Sequence, residues 1–86
     1  MNKPKLSVYQ AINKSLISLG IKPETDTRVY YKWDAKKRTK PFQLPFILVD
    51  YEIKKREWYI YYVDEDNKVL SCTVDDITGT TFISSE

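Results

Sequence analysis

The sequence predicts an α+β fold: one N-terminal helix followed by about five antiparallel strands. Three observations carry this. Apolar residues recur at helical spacing over one N-terminal segment, and from Thr27 onward the period drops from 3.6 to 2. The connections between the later apolar runs read as short, and parallel pairs need crossovers of about a dozen residues or more. With 86 residues, the chain is expected to form one small domain, 1–86, burying roughly 60–65% of its unfolded surface.

The helix has the most explicit local signals. Ser7-Val8-Tyr9-Gln10 has the form of a capping box, in which the Ser7 hydroxyl and the Gln10 side chain satisfy each other's backbone N–H. Leu6 is placed to staple onto Ala11. Tyr9, Ile12, Leu16 and Leu19 then recur on one face, with Gln10, Asn13 and Lys14 on the other. Gly20 provides a left-handed stop, Ile21 can fold back on Leu16, and Pro23 prevents resumption. The predicted helix runs from about Val8 to Leu19.

Thr27–Trp33 reads as the first strand, placing Thr27, Val29, Tyr31 and Trp33 on one face and Arg28, Tyr30 and Lys32 on the other. Residues 34–40 form a basic connection ending at Pro41. Pro41 and Pro45 bracket a stretch unsuited to a central strand. Phe46–Ile53 is the second strand. A turn without glycine, Lys54-Lys55-Arg56-Glu57, leads to the third, Trp58–Val63. Asp64-Glu65-Asp66-Asn67 turns the chain into Lys68–Val74, where Leu70, Cys72 and Val74 share a face. Asp75–Gly79 turns again before a last strand at Thr80–Ile83 and a fraying end. A 12-residue helix is roughly 18 Å long, enough to cover one face of three or four strands. Two architectures fit: an open sheet under the helix, or a small SH3-like or OB-like barrel with the helix as a plug.

Composition excludes several classes of function. Plentiful aromatic and β-branched residues with a net charge of +2 argue against disorder. The longest apolar run, Trp58–Val63, has six residues, far short of the ~20 that span a bilayer. No hydrophobic stretch follows the first residues as a secretory signal requires, and the one cysteine suits a reducing compartment, so a cytoplasmic setting without membrane association is expected. The sequence has no histidine, which excludes Ser-His and Cys-His nucleophile systems. Cys72 alternates with Leu70 and Val74 and reads as a small buried hydrophobe. Its two glycines lie 59 positions apart, so there is no phosphate-binding glycine loop. Asp64–Val69 opens like a calcium loop but has Lys68 fifth and Val69 where the sixth position needs glycine. Glu52-Ile53-Lys54 with Asp34 upstream has the residue types of a metal-dependent nuclease, without the helices that fold needs. The expectation is a chain with no enzymatic activity and no cofactor.

What remains is binding. Arg28 to Lys40 holds six basic residues and one acidic one, a local net of +5; Asp64 to Glu86 holds six acidic and one basic, a local net of −5. The strands are rich in aromatic residues of both parities, with Trp58 and Tyr62 on one face and Tyr59 and Tyr61 on the other, so one helix cannot cover them all. The leading expectation is a small protein-binding module: a regulator, inhibitor or adaptor of a larger partner, of the kind phage and mobile elements carry. Tyr30, Trp33, Tyr59 and Tyr61 would be its anchors and Lys36, Lys37 and Arg38 its steering charges. The acidic turns, Asp64 to Asp66 and Asp75-Asp76, offer a second contact surface for a basic partner. The alternative is a nucleic-acid-binding regulator, with Lys32, Lys36, Lys37, Arg38 and Lys40 on phosphates and Tyr30 stacking on a base. An exposed edge strand also allows a homodimer.

Overall fold

Helix α1 (Val8–Leu19) begins and ends where its capping signals place it. The Gln10 N–H donates to the Ser7 hydroxyl at 3.1 Å, and the Ser7 N–H donates to the Gln10 side-chain oxygen at 2.8 Å. At the other end Gly20 adopts φ 76°, which a side chain would strain. That conformation lets the Gly20 and Ile21 N–H groups donate to the Ile17 and Leu16 carbonyls. The computed structural model describes residues 3–22 and 27–84, so Pro23 and the last two residues of the expected fraying end lie outside the described residues.

The helix face is shifted from the expected stripe: Tyr9 falls outside it, and Val8, Ala11 and Ser15 join it. Tyr9 is 69% exposed, while Ala11, Ile12, Ser15 and Leu16 are buried, with Val8 and Leu19 packed beside them. Ala11 and Ser15 are small, so the helix approaches the sheet along them. The Ser15 hydroxyl removes its polarity by donating to the Ala11 carbonyl at 2.9 Å.

After α1 the chain forms β1 (Arg28–Tyr31), a one-turn helix α2 (Lys32–Ala35), β2 (Phe46–Glu52), β3 (Glu57–Val63), β4 (Val69–Asp75) and β5 (Thr81–Ser84). They make one five-stranded sheet in the order β1-β2-β3-β4-β5. With β1 and β5 at opposite edges the sheet is open, and the barrel expectation falls. Strands β2 to β5 pair antiparallel, but β1 runs parallel to β2, with Arg28 beside Phe46 and Tyr31 beside Val49. The all-antiparallel expectation is corrected here for a plain reason. Residues 32–45 are not a short link; they meet the length that a parallel crossover requires. Within them the chain winds a helical turn at the positions expected to extend the first strand. Trp33 is therefore on α2 and 58% exposed, instead of sharing a strand face with Val29.

The hairpins are set by local geometry. Arg56 and Asn67 adopt positive φ in the β2–β3 and β3–β4 turns, and Gly79 does so at the β4–β5 turn. The Asp64 carboxylate accepts from the Asp66 and Lys68 N–H groups, and Asp75 accepts from Ile77 and Thr78.

Strand alternation sorts the sheet into two faces. Ile47 and Val49 on β2, Trp58, Ile60 and Tyr62 on β3, and Cys72 and Val74 on β4 form the core under α1. Asp76 ties this core to the N-terminal segment. It is only 3% exposed, and its carboxylate accepts from the Lys5 and Leu6 backbone N–H groups, the Trp58 indole N–H and the Tyr51 hydroxyl at 2.6–3.2 Å. Burial pushes the Asp76 pKa up, but these hydrogen bonds together outweigh it and hold the carboxyl below its ordinary value. No described helix is long and apolar enough to cross a membrane.

Candidate binding surface

The sheet face turned away from α1 carries the side chains of opposite parity: Tyr30 on β1, Phe46, Leu48 and Asp50 on β2, Tyr59, Tyr61 and Val63 on β3, Ser71 and Thr73 on β4, and Phe82 on β5. The register brings Leu48, Tyr61 and Ser71 into one row and Asp50, Tyr59, Thr73 and Phe82 into the next. Phe46 and Val63 are buried at one end, Tyr59 and Tyr61 are half-buried, and Phe82 and Val69 are exposed. A shallow depression of about 460 Å³ lies among Tyr59, Tyr61, Val69, Ser71, Cys72, Thr73 and Ser84. Its floor combines ring faces with hydroxyl groups. Burial raises the Tyr59 pKa above its ordinary value, helped by its hydrogen bond to Glu57 at 2.9 Å, so its hydroxyl stays protonated and donating.

The basic crossover borders this face on the β1 side. Phe42 stacks on Tyr30 with centroids 4.4 Å apart and packs against Phe46 at 4.6 Å. The Arg38 guanidinium lies 4.2 Å from the Tyr30 ring centre and 5.0 Å from that of Phe42. Lys32 reaches toward Asp50 at 3.8 Å and lies 5.9 Å from the Tyr61 ring. Lys37 sits 4.7 Å over the exposed Trp33 ring. The side chains of Lys36, Lys37, Arg38 and Lys40 all stand in solvent.

Of the residues expected to contact a partner, Tyr59, Tyr61 and the Arg38–Tyr30 pair meet on or beside this face. Trp33 and Lys37 form a separate exposed pair on α2 and the crossover. The acidic stretch does not form one surface. Asp64 and Asp66 lie in the turn before β4, while Asp75 and Asp76 lie at its other end, so the length of a seven-residue strand separates them, roughly 20 Å. Asp75 is held below its usual pKa by the Thr78 and Ile77 N–H groups and remains at the surface, whereas the Asp76 carboxylate is engaged inside the fold. Glu52, Glu57 and Asp75 face one another across β2, β3 and β4, an arrangement that like-charge repulsion disfavours without a neighbouring cation. The Lys54-Lys55-Arg56 turn lies at that end of the sheet. The two blocks of opposite charge in the sequence are thus partly mixed in space.

Sequence reasoning left out Phe82, Val69, Leu48, Ser71, Thr73 and Phe42. For the residues on β4 and β5, the signal was present in the parity of the strands. Phe42 carried none, because its stack on Tyr30 depends on the path of the crossover. Glu52 accepts from the Lys54 N–H in the β2–β3 turn, a local turn contact. Among the described residues no group of three or more carboxylates or thiols is placed to hold a metal ion. Compared with protein-family models, curated proteins and solved structures, the chain matches none of them.

Proposed function

We propose that this chain is a small non-enzymatic protein-binding module that docks the uncovered face of its sheet onto a larger partner, acting as a regulator, inhibitor or adaptor. One observation carries the reading. Helix α1 covers only one face, and the crossover packs on the other only along β1 and β2, leaving Tyr59, Tyr61, Val69 and Phe82 together there. Half-buried tyrosines and an exposed phenylalanine give large, stiff contact area at low entropy cost, the usual make-up of interface anchors. The exposed cations of residues 36–40 and the carboxylates of Glu52, Glu57 and Asp75 border the patch and supply orientation.

The test compares capture from the native host by the wild-type chain and by Tyr59→Ala/Tyr61→Ala. The reading expects one partner retained by the wild type and lost with the double variant, with amide protection on β3 and β4 in the complex. Failure to enrich any partner, or equal retention by the double variant, overturns it.

Nucleic-acid binding is the second reading, supported by the exposed Trp33 under Lys37 and the neighbouring Lys36, Arg38 and Lys40. It is the weaker one, because Tyr30, its base-stacking residue, is already stacked on Phe42 and lies against Arg38.

A further inference from the structure

The two edges of the sheet differ in how they are guarded. Strand β1 begins with Arg28, is followed by Lys32 and packs against α2, and charge and cover of this kind blunt an edge. Strand β5, Thr81-Phe82-Ile83-Ser84, has neither charge nor proline. Phe82 and Ile83 point to opposite faces and are 56% and 58% exposed, and Ile77 in the preceding turn is exposed as well. On the helix side, Lys14 reaches Gly79 and Ser18 hydrogen-bonds Thr81, so the Lys14–Ser18 flank of α1 lies beside β5.

The backbone of this edge has a definite pattern. The Asp75 N–H donates to the Thr80 carbonyl at 2.8 Å, which makes Asp75–Thr80 a hydrogen-bonded pair. In an antiparallel ladder such pairs alternate, so Phe82 and Ser84 also direct their N–H and C=O groups toward β4. The corresponding groups of Thr81 and Ile83 therefore point outward, away from the sheet.

We infer that β5 pairs antiparallel with β5 of a second copy of this chain, about a two-fold axis passing beside Phe82. This register is selected by the outward groups. Thr81 of each copy faces Ile83 of the other, and the two pairs exchange four backbone hydrogen bonds. Phe82 meets Phe82 of the second copy at the non-hydrogen-bonded position, where side chains approach most closely. Every residue from Thr80 to Ser84 is uncharged, so self-pairing brings no like charges together, as an isologous contact requires. Both helices fall on the same side, and the two uncovered faces join into one ten-stranded surface. The inference rests on the strand edge and stands whether or not that face binds a protein partner. A four-residue edge lies at the small end of specific interfaces, which begin near about 1,000 Å², so the dimer dissociates on dilution.

Sedimentation velocity of the full chain over a wide concentration range tests this. The sedimenting mass should rise from that of the 10.2 kDa chain toward twice that value. Ile83→Pro removes an outward N–H without breaking the β4–β5 ladder, and Phe82→Lys places two cations at the axis. Each should weaken association about tenfold or more while leaving the circular dichroism spectrum unchanged. Amide exchange in the wild-type chain gives an independent arm, with the Thr81 and Ile83 amides slowing as concentration rises. A monomer at every concentration, association indifferent to both variants, or amide rates independent of concentration would overturn the proposal.

Discussion

Asp76→Ala is the substitution expected to damage this fold most for the volume removed. The carboxylate accepts four hydrogen bonds in a site 3% open to solvent. Truncation leaves those donors without an acceptor, at about 1–3 kcal/mol for each that stays dry. The Trp58 indole N–H is buried and bears the full cost, whereas the Lys5 and Leu6 amides and the Tyr51 hydroxyl are partly buried and recover some water. The net loss should be about 3–5 kcal/mol, against about 4–13 kcal/mol of total stability for a chain of this length. At about 4–8 °C per kcal/mol, thermal unfolding should fall by more than 10 °C. Urea titration followed by tryptophan fluorescence measures the loss, and an unchanged slope would show that the folded state keeps its extent. Asp76→Asn, which retains an acceptor oxygen, should cost less than half as much. A loss below about 1 kcal/mol for Asp76→Ala would refute the argument that this carboxylate holds the N-terminal segment to the β4–β5 turn.

Three further outcomes follow from the same structure. The folded pKa of Asp76 lies below its unfolded value, so its contribution is fully present above about pH 4 and is lost as pH falls through the folded pKa; urea midpoints should drop below pH 4 for the wild type and less steeply for Asp76→Asn. Leu16→Ala, at a buried position on α1, should cost about 2–4 kcal/mol, while Tyr9→Ala on the exposed side should stay within about 0.5 kcal/mol; equal costs in urea titration would contradict the observed helix face. Titration of labelled single-stranded DNA and RNA at two salt concentrations should show no micromolar binding that weakens steeply with salt, and a strong salt-dependent affinity abolished by reversing Lys36, Lys37 and Arg38 to Glu would favour the nucleic-acid reading.

Much of the fold could be read locally because its signals are local. The Ser7–Gln10 capping box and Gly20 delimit α1 with contacts spanning a few residues. Alternation places Trp58 and Tyr62 inward and Tyr59 and Tyr61 on the other face whatever the topology. The parallel β1–β2 pair was hidden because a connection of about a dozen residues, 34–45 as expected, allows either direction, and β-alternation continuing formally through Lys32 and Trp33 conceals the helical turn that begins the crossover. The role of Asp76 was hidden by distance: its backbone donors, Lys5 and Leu6, lie seventy or more positions away in sequence. Two adjacent aspartates in a turn look alike until the fold buries one and leaves the other at the surface. The charge blocks failed as a spatial guide because β4 carries the chain from one end of the sheet to the other between Asp66 and Asp75.

The central claim is that the sheet face opposite α1 is the working surface. Hydroxyl-radical footprinting of the free chain and of its complex with a captured partner tests it directly. The account predicts that Tyr59, Tyr61 and Phe82 are oxidised in the free chain and that Tyr59 and Tyr61 are protected in the complex, with Trp58 and Tyr62 unreactive in both. Undiminished oxidation of Tyr59 and Tyr61 in the complex, with protection confined to α1 or the Asp64–Asp66 turn, would contradict it.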